Sequence, residues 1–426
     1  MRLALNKKPF IAQSLALSVA ALMMTTTHAA TKEQQELAQL RAEVAELKAL
    51  MQQQQQVQQQ QAVQIQQVKA QPAPVKAESP LSSLKSKSGA DINLYGFVRG
   101  DANYIIEGQD DDFNKVSSSD GKTKDKLRAT AKTTRLGLDF NTNVGGDNKL
   151  GGKVEVDFAG STTDSNGALR IRHAYLTYNN WLFGQTTSNF LSNHAPEMID
   201  FGTNVGGGTI RIPQVRYGFN LAPATKLFIA AEEGNSNSGS SDAAIKYSVP
   251  NLTAKLTQGF ADGKGSVSAR ALVENYKSAN DSDTGWGVAA GVNYQVMDPL
   301  KLSADVSYVD GNSNYLHGSN SAYVVNTSNG KIAQNEAFGV QVGGTYKFNE
   351  KLRSTLAYGA LFADDGTDYA TNPTANEEVY QAWINFIYSP VKPLDLGVEY
   401  INGKRDTFAG NSYKDNRVGL MAKYSF

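Results

Sequence analysis

From Asp91 to the C-terminus, apolar and polar residues alternate with a period of two. In the first such stretch, Leu94, Val98 and Ala102 fall on one face and Arg99, Asp101 and Asn103 on the other. Thr134–Asn141, Lys153–Phe158 and Arg417–Phe426 repeat the pattern. Successive side chains of a strand point to opposite faces, so each stretch predicts a strand with charge on one side and aliphatic or aromatic groups on the other. A soluble sandwich alternates too. Repetition over the 336 residues of 91–426 favours a transmembrane β-barrel, wet inside and greasy outside.

Connection lengths support this. Some are tiny, as at Asn179-Asn180, Pro223-Ala224, Asp298-Pro299, Asn349-Glu350 and Lys392-Pro393. Others are long and polar: 108–132, 311–335 and 364–378. Short turns at one end and long loops at the other mark an outer-membrane barrel. A first count gives 17 strands, because 243–249 and 252–260 look separate. Pro250 cannot donate a ladder hydrogen bond in a central strand, and a closed bacterial barrel needs an even number. Merging the two segments into one passage, irregular in its upper part, predicts 16 strands, from 92–106 to 415–426. The stretch 190–208 after the fifth strand has no period of two and becomes the third extracellular loop.

Upstream the period is seven. Leu37, Val44, Met51, Gln58 and Ile65 occupy a positions; Leu40, Leu47, Gln54, Gln61 and Val68 occupy d. Glu36 and Glu43 at g face Arg41 and Lys48 at e, so ion pairs can form between helices. The seam turns polar at Gln52–Gln67, where 12 of 16 residues are Gln. A disordered Gln-rich tract is the other reading; the heptads favour a short oligomeric coiled coil over 31–70, about 60 Å long at ~1.5 Å per residue. Residues 71–90 carry three Pro among Ser and Lys and form a linker. Before all this, Arg2, Lys7 and Lys8 precede the mostly apolar Phe10–Met24, with small residues at Thr27, Ala29 and Ala30. That is a cleaved export signal over 1–30, with the coil placed in the periplasm and the barrel over 91–426.

Composition narrows the chemistry. Lys plus Arg and Asp plus Glu are 41 each, and loss of the signal leaves three net negative charges. No basic excess points to nucleic acid. Cys is absent, which excludes disulfide scaffolds, thiol catalysis and thiolate metal sites. Asp110, Asp111 and Asp112 read as a solvated loop face rather than an ion site. Gly206, Gly207 and Gly208 lack the strand-to-helix context of a phosphate loop. His173, His194 and His317 have no metal-ligand spacing. No G-x-S-x-G elbow is present. Neither an enzyme nor a cofactor or metal is expected. Trp181, Trp286 and Trp383 are assigned to interface girdles.

The remaining chemistry is cationic. Arg99, Arg135, Arg170, Arg172, Arg216, Arg270 and Arg353 fall on the polar faces of their strands. Guanidinium holds its charge and grips carboxylates bidentately, and rings of Arg make a pore anion-preferring. Glu197 and Asp200 on the third loop would form the opposite wall. The competing reading is that these Arg merely neutralise inward acids such as Asp101, Asp139, Glu155, Asp157 and Glu197.

Leu169–Tyr178 followed by Phe183–Phe190 resembles the porin pattern in which an Arg-containing strand precedes a Gly-Gln strand and a constriction loop. Ser389–Tyr400, the stretch from Tyr400 to Arg405, and Asn416–Phe426 resemble the DcaP-like family of trimeric porins, some of which also carry a heptad segment before the barrel. The resemblance implies a homotrimer in outer-membrane lipid, a 16-stranded barrel in each copy with loop 3 folded inward, and uptake of small anionic substrates, dicarboxylates including phthalate-type diacids. The alternatives are a general diffusion porin and a structural protein whose coil reaches peptidoglycan or a periplasmic protein.

Overall fold

The computed structural model describes residues 84–160, 167–192, 194–208, 210–234, 245–311, 315–326 and 328–426. The expected signal, the coiled coil and most of the linker lie outside them. The described chain forms a closed antiparallel barrel of 16 passages. They are β1 (Asp91–Gly108), β2 (Thr123–Thr130 continued by Arg135–Asn143), β3 (Lys149–Asp157), β4 (Arg170–Tyr178), β5 (Trp181–Thr187), β6 (Arg211–Ala222), β7 (Thr225–Glu232) and β8 (Asn251–Phe260). There follow β9 (Gly265–Lys277), β10 (Ser282–Met297), β11 (Leu300–Asp310), β12 (Glu336–Lys347), β13 (Leu352–Ala363), β14 (Asn376–Val391), β15 (Leu394–Thr407) and β16 (Ser412–Lys414 continued by Asn416–Ser425). Each pairs with its neighbour, and β16 returns to β1 in the register Phe97↔Ser425 through Glu107↔Asn416. Phe426 and Gly96 finish the seam by exchanging main-chain hydrogen bonds at 3.0 and 3.1 Å.

Exposure follows the pleat. Leu94 and Val98 lie open on the outer face of β1 while Arg99, Asp101 and Asn103 are buried within. Two departures are instructive. Part of the expected loop 108–132 is strand: Thr123–Thr130 pairs with the upper half of β1, from Asp101↔Thr130 to Gly108↔Thr123. Its alternation sets Lys124, Lys126 and Arg128 against Glu107, Asp110 and Asp112, and its other face carries Leu127 and Ala129 but is broken by Asp125, so the apolar pattern is too short to announce it. Trp383 is the second. It points inward, 1 % exposed, and donates from Nε1 to the carbonyl of Glu197 at 3.1 Å. Trp181 and Trp286 are exposed on the outer face, as a girdle requires. At Pro250 the merged passage resolves as expected: the regular strand begins at Asn251, and above it Lys246 makes an isolated bridge to Lys277.

The interior is not simply wet. Three connections meet inside the long-loop end of the barrel. Val116 from the β1–β2 connection, Phe190 and Val205 from the β5–β6 connection, and Tyr315 and Leu316 from the β11–β12 connection pack with inward-facing Leu272, Val309, Leu361 and Val379. Full burial of one such side chain contributes about 1.5–3 kcal/mol, which offsets part of the ordering cost of the loops, about 1–2 kcal/mol per residue. Backbone bonds knit them further: Gly206 N–H donates to His317 O at 3.3 Å and His317 N–H to Gly207 O at 2.7 Å. The β5–β6 connection is anchored on the inner faces of strands across the barrel. Ile199 and Asp200 N–H groups each donate to Glu399 at 2.9 Å, whose neighbours Val398 and Tyr400 face outward.

Candidate functional site

Adjacent strands assemble one cationic wall. Arg135 on β2 stands opposite Asp157 on β3, and Asp157 opposite Arg170 on β4. The register then shifts: Glu155 pairs with His173 and Val156 with Ile171, so Arg172 is the extra residue of a β-bulge. A bulge re-aims side chains. Here it turns Arg172 and His173 to the same interior side, where Arg172 bonds Glu155 and His173 bonds Thr186. Arg170 grips Asp157 through Nε and Nη2 at 2.9 and 2.7 Å. Arg172 bridges both acids, Nε to Glu155 at 2.8 Å and Nη1 to Asp157 at 2.8 Å. Arg135 Nε stands 3.4 Å from Glu155. Arg211, the first residue of β6, joins this group and makes no ion pair among the described residues. Three guanidiniums therefore share two carboxylates and a fourth, Arg211, stands unpaired, leaving two positive charges in surplus within this group.

Asp157, Arg170, Arg172 and Arg211 of this group border a cavity of about 530 Å³ reached from the long-loop end. Arg170, Arg172, Arg211, Lys115 and Lys132 supply its cations, and Asp111, Asp112 and Asp157 its acids. Phe113 and Phe201 supply an aromatic wall, their rings edge-to-face at 5.7 Å. Arg170 is the most accessible of the arginines that hold a carboxylate here, its side chain 43 % exposed. The loop groups around the cavity have settled charge states. Burial opposes ionisation of Asp112, but Arg128 and Lys132 outweigh it and hold the carboxyl below its usual range. Burial drives His317 down, so it is a neutral hydrogen-bonding member of the wall.

The other expected site residues are placed differently. Arg99 is buried, with Nε and Nη2 on Asp101 and its guanidinium carbon 4.3 Å above the Phe201 ring. Arg270 is sealed, its side chain 1 % exposed, with Nη2 on both oxygens of Asp305 at 2.7 Å. It is not on an open surface, because Ser192 and His194 of the β5–β6 connection cover the same carboxylate and strand. Arg353 holds Glu197 near the short-turn end. For these three, each guanidinium has its own acid. Arg216 lies over Phe228 at 5.5 Å and reaches Asn189 at 3.5 Å. Asp200 does not face open water either. It is 1 % exposed and accepts from the Asn114 and Gly202 N–H groups. Burial, opposed by Arg417 and reinforced by Glu399, pushes it up to about 7. Among the described residues, no group of three or more His, Cys, Asp or Glu converges as a metal site.

Strand periodicity missed Arg211, Lys132, Phe113 and Phe201. Arg211 and Arg216 are five apart, an odd spacing that a regular strand puts on opposite faces. The two Phe lie in connections with no period to read.

A family model described as DcaP outer membrane protein matches residues 23–426. The crystal structure of the outer membrane channel DcaP of Acinetobacter baumannii is similar at 72% identity and a TM-score of 0.78, covering 81% of this chain and 100% of that one. At the level of fold, an anion-selective porin from Comamonas acidovorans matches with 12% identity and a TM-score of 0.54, over 79% of this chain and 100% of its own. OmpT of Vibrio cholerae in its trimer form matches with 15% identity and a TM-score of 0.51, over 79% and 99%. No curated protein matches.

Proposed function

Because the chain belongs to the DcaP outer membrane protein family and forms a channel in the bacterial outer membrane, we propose that it admits small anions, dicarboxylates above all, along the Arg wall of its lumen. One observation carries this reading: Arg135, Arg170 and Arg172 share only Glu155 and Asp157, and Arg211 beside the same cavity makes no ion pair among the described residues. Neutralising inward acids accounts for Arg99, Arg270 and Arg353 one for one, but not for this group. A charge-assisted hydrogen bond contributes roughly 1.5–3 kcal/mol, enough to hold a carboxylate briefly and release it. The rings of Phe113 and Phe201 beside the cations suit a flat diacid of the phthalate type. We read the β5–β6 connection as the constriction loop, folded inward to narrow the path. We also propose that three copies assemble, with the barrels rather than the 31–70 segment holding them together. No step of this function calls for catalysis.

The test is the reversal potential of single channels under a potassium chloride gradient, followed by succinate or phthalate block. The expected result is chloride preference and block, both reduced by Arg170→Gln with Arg172→Gln, while uptake of a neutral sugar is unchanged. A wild-type channel that prefers potassium and ignores dicarboxylates overturns the proposal and leaves the general diffusion porin.

A further inference from the structure

Near the short-turn end, a guanidinium already holds a carboxylate. Arg353 Nε bonds Glu197 Oε1 and Oε2 at 3.1 and 2.9 Å, and its Nη2 bonds Oε1 at 2.8 Å. The backbone of Glu197 is secured independently of that side chain. Its carbonyl accepts from Trp383 Nε1 at 3.1 Å and Asn385 Nδ2 at 3.0 Å. Two residues on, Ile199 and Asp200 are held by Glu399. One residue before, Pro196 packs on Gly343, where a Cβ would meet the proline ring at 2.7 Å. The Glu197 carboxylate itself has Arg353 as its partner and keeps 34 % side-chain exposure. It can therefore turn away without moving the chain.

Behind the guanidinium, Asp395 is fixed by Ser389 at 2.6 Å and Lys423 at 2.9 Å, and Arg353 Nη1 also reaches Ser389 at 3.3 Å. The fork is thus aimed before anything binds. A cavity of about 900 Å³ opens beside it, lined further by Lys347, Lys351 and Lys392, none of which makes an ion pair among the described residues, and by the acids Asp298, Glu350 and Asp395.

We propose that Arg353 is a second carboxylate-binding station at the periplasmic mouth, and that Glu197 is a built-in carboxylate which solute carboxylates displace. The inference rests on the reading of the lumen as a path for dicarboxylates. Arg353 stays paired through the exchange, because one carboxylate arrives as the other turns to water; without Glu197 only Asp395, 3.8 Å from Nη2, would remain beside the guanidinium, and anions would stay longer. A diacid seated on Arg353 has its second carboxylate facing the cavity in which Lys347, Lys351 and Lys392 stand among Asp298 and Glu350. Glu197 thereby shortens each stay and keeps the exit clear.

Succinate block of chloride current in oriented single channels tests this, with succinate added to one side at a time. From the short-turn side, Glu197→Gln is expected to lengthen block events several-fold over wild type. Arg353→Gln and the double variant Glu197→Gln/Arg353→Gln are expected to lose those events. From the long-loop side, Glu197→Gln is expected to keep wild-type first-contact block, because that side meets Arg170 and Arg172. Wild-type block durations in Glu197→Gln from the short-turn side, or lengthened events that persist in the double variant, overturn the station. Block from the long-loop side alone overturns Arg353 while the dicarboxylate path stands. Block from neither side in any variant overturns both.

Discussion

The main-chain N–H of Asn114 donates to both carboxylate oxygens of Asp200, at 3.1 and 3.0 Å. This one junction ties the β1–β2 connection to the β5–β6 connection. Asn114 extends the tie to the barrel, donating from Nδ2 to Asp415 O at 3.0 Å and accepting from Gln381 Nε2 at 2.8 Å. The cavity wall formed by Asn114, Phe201 and Gly202 depends on it.

Acidity should strengthen the protein through this residue. The Asp200 carboxyl is raised to about 7, against about 3.9 for an unperturbed Asp. A raised carboxyl binds its proton more tightly in the folded state. Its contribution is fully present below the unfolded value and is lost as pH rises through the folded one. Asp200→Asn is expected to raise the unfolding temperature at pH 8 and leave it nearly unchanged at pH 4. Thermal unfolding followed by circular dichroism at both pH values measures this. An equal shift at both would assign the effect to packing rather than charge.

Gly359 on β13 lies under the Val205 carbonyl, where an added Cβ would come within 2.0 Å of the oxygen. Side chains cannot share that space. Gly359→Val should push the β5–β6 connection off the wall into the lumen while the strand ladder persists. Single-channel conductance should fall, and the folded barrel should keep its heat-modifiable migration on gels. Unchanged conductance would mean that the connection does not border the conducting path.

The surplus on the Arg wall can be moved in both directions. Arg211→Gln removes a cation without leaving a carboxylate unpaired, so anion preference should drop. Succinate block should weaken roughly tenfold or more if one charge-assisted contact of about 1.5–3 kcal/mol is lost. Glu155→Gln raises the surplus by one and should increase the chloride-to-potassium permeability ratio. Reversal potentials read both variants, and a shift of the same sign in the two would refute the charge account.

Phe426 and Gly96 close the barrel by reciprocal main-chain bonds, and the Phe426 side chain lies exposed on the outside. Deleting Phe426 removes both bonds at the last rung of β16. Less protein should reach the membrane-inserted, heat-modifiable form, with synthesis and export unchanged. Normal insertion of the shortened chain would show that the seam does not need its last residue.

The sequence alone determined the barrel. A lipid-facing strand must present apolar side chains at every second position, so β1, β3 and β16 declare themselves in the residues. Pro250 likewise announced where regular pairing starts, because it lacks a donor. The family was legible for the same reason, through Leu169–Tyr178 and Asn416–Phe426. Strand parity also put Arg170 and Arg172 on one face.

What parity cannot supply is the contents of the lumen. Thr123–Thr130 offered only Leu127 and Ala129, broken by Asp125, on its apolar side, and Trp383 looked like a girdle residue until its register set it inward. Arg270 and Arg170 are alike as residues on a polar face. Only the path of the β5–β6 connection sealed the first against Asp305 and left the second at a cavity. Arg211 and Arg135 come together across four strand pairings, and the extra residue at Arg172 is a property of register between two strands. Local alternation encodes which side of a sheet a residue takes. Which residues of the inner side meet water, an acid or a loop is set by contacts distant in the chain, such as Ile199 with Glu399, and these exist only once the barrel has closed.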